Sequence, residues 1–133
     1  MTVHEKGPRI LLVEDEPANR ALVRAILDRS GRPELETSTL HEASTIGEAR
    51  SVLATYPLDI VLVDVRLPDG SGLDLVGELR AHPHAERATI VIVSASVLEA
   101  DRALARATGA DAFLAKPFGA SDLTRLLVGL LAS

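Results

Sequence analysis

The feature that most constrains the fold is a pair of uninterrupted aliphatic runs, Ile60-Val-Leu-Val63 and Ile90-Val-Ile-Val93. A strand with one wet face alternates apolar and polar residues, whereas four consecutive aliphatic residues need apolar cover on both faces. Parallel sheets sandwiched between helices supply that cover. These runs sit in segments 59–64 and 89–94, and three more short segments, at residues 9–13, roughly 36–42 and 112–115, bring the predicted strands to five. The segment near 36–42 is polar, rich in Thr and Ser and roughly alternating, which suits a sheet edge.

Each strand is followed by a helical pattern with its own punctuation. Pro17 fits the first turn of a helix whose stripe of Leu22, Val23, Ile26 and Leu27 ends at Gly31. Thr45 with Glu48, and Ser96 with Glu99, have capping-box spacing at the starts of the second and fourth helices. Ser71 can cap a third helix that carries Leu73, Val76 and Leu79 and stops before Pro83. Gly109 closes the fourth, and Ser121 opens a fifth with Leu123, Leu126, Leu127 and Leu130. Strands alternating with amphipathic helices imply an α/β fold, a doubly wound five-stranded parallel sheet with right-handed crossovers and five helices on its two faces.

A length of 133 residues suits one domain, expected over residues 9–131 behind a flexible polar tail at 1–8. Tyr56, Phe113 and Phe118 are the only aromatics, so the core is aliphatic. The absence of cysteine excludes disulfides and thiolate metal sites. No apolar run approaches the ~20 residues that cross a bilayer, and residues 1–8 are too polar for a signal peptide. No membrane role and a cytoplasmic location are therefore expected. A net charge of −5 without a basic stripe argues against direct contact with nucleic acid. The cations are twelve arginines and two lysines, of which Lys116 alone falls in the folded body. A lone lysine there suggests a place suited to a compact ammonium.

Open α/β sheets bind ligands beyond the carboxyl ends of their strands. The first strand ends in Glu14-Asp15-Glu16, the third in Asp64, the fourth in Ser94, and the fifth runs into Lys116-Pro117. Together these make an acidic cluster flanked by one cation. Carboxylates crowded in this way repel one another unless a cation compensates. Oxygen-only ligands favour a hard ion such as Mg2+, or Mn2+, which also binds phosphate. An aspartate beside such an ion can attack phosphorus while a lysine and a hydroxyl hold the remaining oxygens, giving an acyl phosphate.

Glu14-Asp15, the segment Val63-Asp64-Val65-Arg66-Leu67-Pro68-Asp69-Gly70, Ser94-Ala95 and Lys116-Pro117-Phe118 together resemble the receiver domains of two-component response regulators. The likeness spans residues 9–130 and lies in the set of blocks, their order and their spacing rather than in any one of them. It implies a flavodoxin-like sheet of order 2-1-3-4-5. It also implies that Asp64 is the phosphorylated aspartate, and that Asp15 ligates the metal directly, Glu14 through water and Arg66 through its carbonyl. Ser94 would hydrogen-bond the phosphoryl group and move on activation, and Lys116 would pair with a phosphoryl oxygen. Pro117 would shape its loop through a cis peptide bond. Phe113 would rotate inward with Ser94, coupling the site to the face of the fourth helix, fifth strand and fifth helix. Glu14 stands where the family often has aspartate, and Phe113 where it often has tyrosine; neither removes a reacting group. Arg66 and Ser96 occupy positions where the family varies the lifetime of its phosphoaspartate.

The expected function is a phosphoacceptor switch that catalyses its own phosphorylation and dephosphorylation rather than an enzyme acting on other substrates. Its expected partners are a sensor histidine kinase or phosphotransfer protein, a downstream protein target or output domain, and a second copy through the fourth-helix face. No output module is expected within these residues. Two other readings compete: a docking module that works without phosphorylation, and a phosphohydrolase with an aspartyl nucleophile. The hydrolase would need a second carboxylate two residues after Asp64, where Arg66 stands. The stretch from Asp69 to Asp74 lacks the alternating ligands and closing glutamate of a calcium loop. His82 and His84 lack a third ligand, and no dinucleotide or Walker glycine motif is present.

Overall fold

The structure, a computed structural model, describes residues 7–95 and 99–132. Five parallel strands form the main sheet: β1 (Arg9–Val13), β2 (Thr39–Ala43), β3 (Ile60–Asp64), β6 (Thr89–Ser94) and β7 (Ala112–Ala115). Their order is β2-β1-β3-β6-β7, which is the expected 2-1-3-4-5 of a flavodoxin-like fold. A two-stranded hairpin, β4 (Arg66–Leu67) and β5 (Gly70–Ser71), lies between β3 and the next helix.

The aliphatic runs behave as their pattern requires. Val61, Val63, Ile90 and Ile92 join Leu11 and Val13 in one core with α3 (Ile46–Thr55), α4 (Gly72–Ala81) and Ala105 of α5 (Glu99–Thr108). Ile60, Leu62, Val91 and Val93 join Ile10 and Leu12 in a second core with α1 (Pro17–Asp28) and α6 (Ala120–Leu131). Burial of each such side chain contributes about 1.5–3 kcal/mol. Successive residues of each strand thus serve opposite layers, which is why the runs do not alternate.

Three expectations need correction. Six helices are present among the described residues rather than five, because a single turn, α2 (Pro33–Glu36), precedes β2. Pro33 opens that turn, Leu35 is buried in the α1–α6 core, and the hydroxyls of Thr37 and Ser38 donate to the carbonyls of Pro33 and Leu35. Glu36 is therefore helical, and β2 begins at Thr39 rather than near residue 36. The last helix begins at Ala120, one residue ahead of Ser121, where the Asp122 carboxylate accepts from the Gly119 N–H.

Other signals held. Pro17 is the first residue of α1, Thr45 Oγ1 accepts from Glu48 N–H, and Ser71 Oγ accepts from Leu73 N–H. Gly31 and Gly109 adopt left-handed φ values of 73° and 112° after α1 and α5. The proposed cap Ser96 lies outside the described residues, as does the tail through residue 6. Pro8 already belongs to the fold, since its carbonyl accepts from Thr39 N–H. No helix among the described residues is long and apolar enough to cross a membrane.

Candidate functional site

The strand order sets β1 beside β3, with Val13 paired to Val63, so the residues that follow both strands emerge side by side. One carboxylate oxygen each from Glu14, Asp15 and Asp64 lie within 4.8 Å of one another. Glu14 is 3% exposed. One of its oxygens accepts from Lys116 Nζ at 2.7 Å and the other from the Glu16 N–H at 3.1 Å. Asp64 is partly buried; Oδ2 lies 2.9 Å from the same Lys116 Nζ, and Oδ1 accepts from Arg66 N–H at 3.3 Å. A cleft of about 420 Å³ opens above these groups, lined by Asp15, Asp64, Arg66, Ser94, Ala95 and Lys116.

Lys116 is the electrostatic centre of the site. Burial opposes its charge, but the hydrogen bonds to Glu14 and Asp64 outweigh that penalty and hold its pKa above the usual lysine value. Its backbone N–H donates to the Ser94 carbonyl at 2.9 Å, which ties the end of β7 to the end of β6, and the Lys116–Pro117 bond is cis. Ser94 is 6% exposed and lines the cleft. Phe113 does not line it. Its ring packs against the core on the α3–α5 side, with the Arg102 guanidinium carbon 4.9 Å from the ring centroid.

The structure therefore brings together Glu14, Asp15, Asp64, Arg66, Ser94 and Lys116, sets Pro117 beside them, and leaves Phe113 behind the site. Three supporting residues carry no obvious sequence signal. Asp69 accepts from the N–H groups of Ile46 and Gly47, at 2.8 and 3.0 Å, so it pins the hairpin to the N-terminus of α3. The Ile46 N–H, followed by the Gly47 N–H, holds its carboxyl below the usual aspartate range. Gly72 is buried with its N–H on the Val65 carbonyl, so close to Asp64 that a Cβ would stand 2.0 Å from the Asp64 carbonyl oxygen. Arg20, in the first turns of α1, donates to the Glu14 carbonyl at 2.9 Å. The two histidines His82 and His84 are used locally, His84 Nδ1 lying 2.7 Å from the Leu53 carbonyl.

Removing the lysine charge exposes the repulsion that it offsets. Lys116→Met is expected to lower the stability of the metal-free protein by about 2–3 kcal/mol, since it leaves Glu14 buried and facing Asp64 without a cation. Chemical denaturation with EDTA measures this, and added Mg2+ is expected to restore part of the loss. An unchanged unfolding midpoint would show that the pair contributes nothing. The raised pKa also fixes the pH range: the lysine's contribution is complete below its unfolded value near 10.5 and fades only as pH climbs through the higher folded value.

Known proteins place the chain in the same way. The family model for the response regulator receiver domain matches residues 10–128. The KDP operon transcriptional regulatory protein KdpE of Escherichia coli (strain K12) is 36% identical over 122 residues, covering 91% of this chain and 50% of that protein. The response regulator protein PilR of Pseudomonas aeruginosa is 40% identical over 124 residues, covering 92% and 26%. The chain thus spans half or less of the length of these two relatives. Among solved structures, the receiver domain of sensor histidine kinase PA1611 from Pseudomonas aeruginosa PAO1 superposes with a TM-score of 0.82 at 31% identity, covering 96% of this chain and 99% of that one. That structure has a magnesium ion coordinated in its active-site cleft. The family match runs from β1 into the last helix and takes in every strand end that borders the cleft, so the chain belongs to the receiver domains of two-component response regulators.

Proposed function

We propose that this chain is a phosphoacceptor switch in which Asp64 receives a phosphoryl group from a histidine kinase or phosphotransfer protein. The observation that carries this reading is the placement of the Asp64 carboxylate in an open cleft, between two further carboxylates and the Lys116 ammonium. In the transfer, an Asp64 oxygen forms a bond to phosphorus while the P–N bond of a phosphohistidine breaks and the imidazole leaves. Lys116 and the Ser94 hydroxyl hold the oxygens of the incoming group.

The donor set fits a hard divalent ion, being three carboxylates with no His or Cys among them. Asp15, Asp64 and the Arg66 carbonyl directly, and Glu14 through water, would hold Mg2+ or Mn2+, which would offset negative charge on the transferred group. Ser94 and Phe113 form the switch, which carries the change to the face of α5, β7 and α6, where a downstream target, an output domain or a second copy docks. Pro117 shapes the Lys116 loop. The acceptor is a signalling domain over residues 9–131 and acts on itself alone, both in gaining the group and in losing it.

Incubation of the protein with acetyl phosphate and Mg2+ tests this. Intact-mass spectrometry is expected to show one added phosphoryl group, dependent on the divalent ion, and borohydride reduction should map it to the peptide containing Asp64. A protein that stays unmodified with Mg2+ present would favour the docking module instead. Sustained turnover of a phosphomonoester would favour the hydrolase.

A further inference from the structure

Arg20 is the first cation of α1, one turn in from the N-cap Glu16 and the Glu14-Asp15 pair before it. Helical side chains lean toward the N-terminus, so Arg20 reaches back over the turn that joins β1 to α1. Its NH1 group donates to the Glu14 carbonyl at 2.9 Å.

That bond completes the fixing of the turn. The Glu14 N–H donates to the Ala43 carbonyl on β2, its side chain is held by Lys116 and by the Glu16 N–H, and its carbonyl is held by Arg20. Both peptide groups flanking Glu14 are thereby committed, and Asp15, which follows, is left facing the cleft. Arg20 is itself steadied, with Nε 3.6 Å from Glu42 Oε1 and its side chain 21% exposed. Glu42 is bound in turn by Arg24 through two bonds of 2.8 and 2.7 Å. Arg24 shares the helix and the glutamate but has no bond to Glu14, so it serves as an internal control.

We infer that Arg20 is a positioning residue which, through the Glu14 carbonyl, sets the Glu14–Asp15 turn for divalent-ion binding. The inference rests on the phosphoacceptor reading and deepens it. A purely electrostatic role has the opposite sign, because a guanidinium near the carboxylates repels a divalent cation, and its removal would tighten binding. A role as donor to a carbonyl needs only one N–H, which a lysine can supply.

Mg2+ alone is the probe, titrated against the whole chain by isothermal calorimetry or amide chemical shifts, beside thermal unfolding in EDTA. Arg20→Ala is expected to weaken Mg2+ binding about tenfold, in line with outer partners of metal ligands. Arg20→Lys should return to within about threefold of wild type, and Arg24→Ala should stay within about twofold, with unfolding midpoints of the two alanine variants close together. The inference is overturned if Arg20→Ala binds Mg2+ as well as or better than wild type, if Arg24→Ala weakens binding equally, or if the lysine variant is as weak as the alanine one. A wild type that takes no Mg2+ overturns this inference together with the phosphoacceptor reading. A wild type that binds while Arg20→Ala matches it overturns the inference alone.

Discussion

Asp64→Asn is expected to take up no phosphoryl group from acetyl phosphate and Mg2+, while remaining at least as stable as wild type. On the proposed reading, loss of reaction follows because a neutral amide oxygen is a poor nucleophile and one of the three clustered carboxylates that could hold a divalent ion has gone. The stability result follows from counting charges at close range. In the metal-free protein the Asp64 carboxylate attracts one cation, Lys116 at 2.9 Å, and repels two carboxylates, with oxygens of all three acids within 4.8 Å. At an effective dielectric of 20, a pair of unit charges at 4 Å interacts by about 4 kcal/mol, so the one attraction and two repulsions largely cancel. After the substitution Lys116 keeps its 2.7 Å partner Glu14, and the amide carbonyl can still accept its second bond. The thermal midpoint should therefore hold or rise by a few degrees. Intact mass and calorimetry on the same sample measure both halves. A variant that still accepts the group would move the acceptor to another side chain, and one that unfolds easily would make Asp64 a structural cap.

The sheet and the convergence of the candidate site residues were legible in the sequence for the same reason. Ile60 to Val63 and Ile90 to Val93 are covered on both faces by the helices of a parallel sheet, and the carboxyl ends of its strands, where open sheets bind ligands, are where Glu14, Asp15, Asp64, Ser94 and Lys116 stand. What stayed hidden depends on distances that no local pattern encodes. Pro33-Glu-Leu-Glu36 is too short to show periodicity, and it becomes helical because Leu35 finds a place in the core behind α1. Asp69 sits in what reads as a plain turn, and its role appears only once α3, more than 20 residues earlier, presents two free N–H groups to it. Arg20 looks like any surface arginine until the turn before α1 is seen to fold back beneath it. Gly72 looks like a helix-start glycine in a glycine-rich stretch, and nothing in the stretch announces that the Asp64 carbonyl passes against it.

That close approach predicts a loss of both stability and reaction rate from one added methyl group. Gly72 does not have a left-handed φ, so the reason for glycine is space rather than backbone freedom. A Cβ built at Gly72 would lie 2.0 Å from the Asp64 carbonyl oxygen and 2.7 Å from Val63 Cγ1, far inside the 3.5–4.0 Å at which nonbonded atoms attract. The oxygen belongs to backbone at the end of the central strand, where Asp64 is in register with Val93 of β6 and the preceding Val63 with Val13 of β1, so it cannot swing aside as a side-chain tip could. Gly72→Ala must then push α4 and its hairpin away from β3, straining the Gly72 N–H to Val65 carbonyl bond of 2.8 Å. Overpacking of this kind costs about 1–3 kcal/mol and sometimes more. Alanine returns at most about 1 kcal/mol through helix propensity. The net loss should be about 2 kcal/mol or greater, a fall of roughly 8 °C in the unfolding midpoint for a chain of this size. Because the displaced backbone carries Asp64, the rate of phosphoryl uptake should drop about a hundredfold as well, the scale expected for a 1 Å misplacement of a reacting group. Gly77→Ala is the matched control: it lies on the same helix, has no atom within 4 Å of an added Cβ, and should gain up to about 1 kcal/mol with normal uptake. If Gly72→Ala melts and reacts like wild type, then the helix start can retreat without moving the nucleophile, and the tight junction between β3 and α4 does not position Asp64.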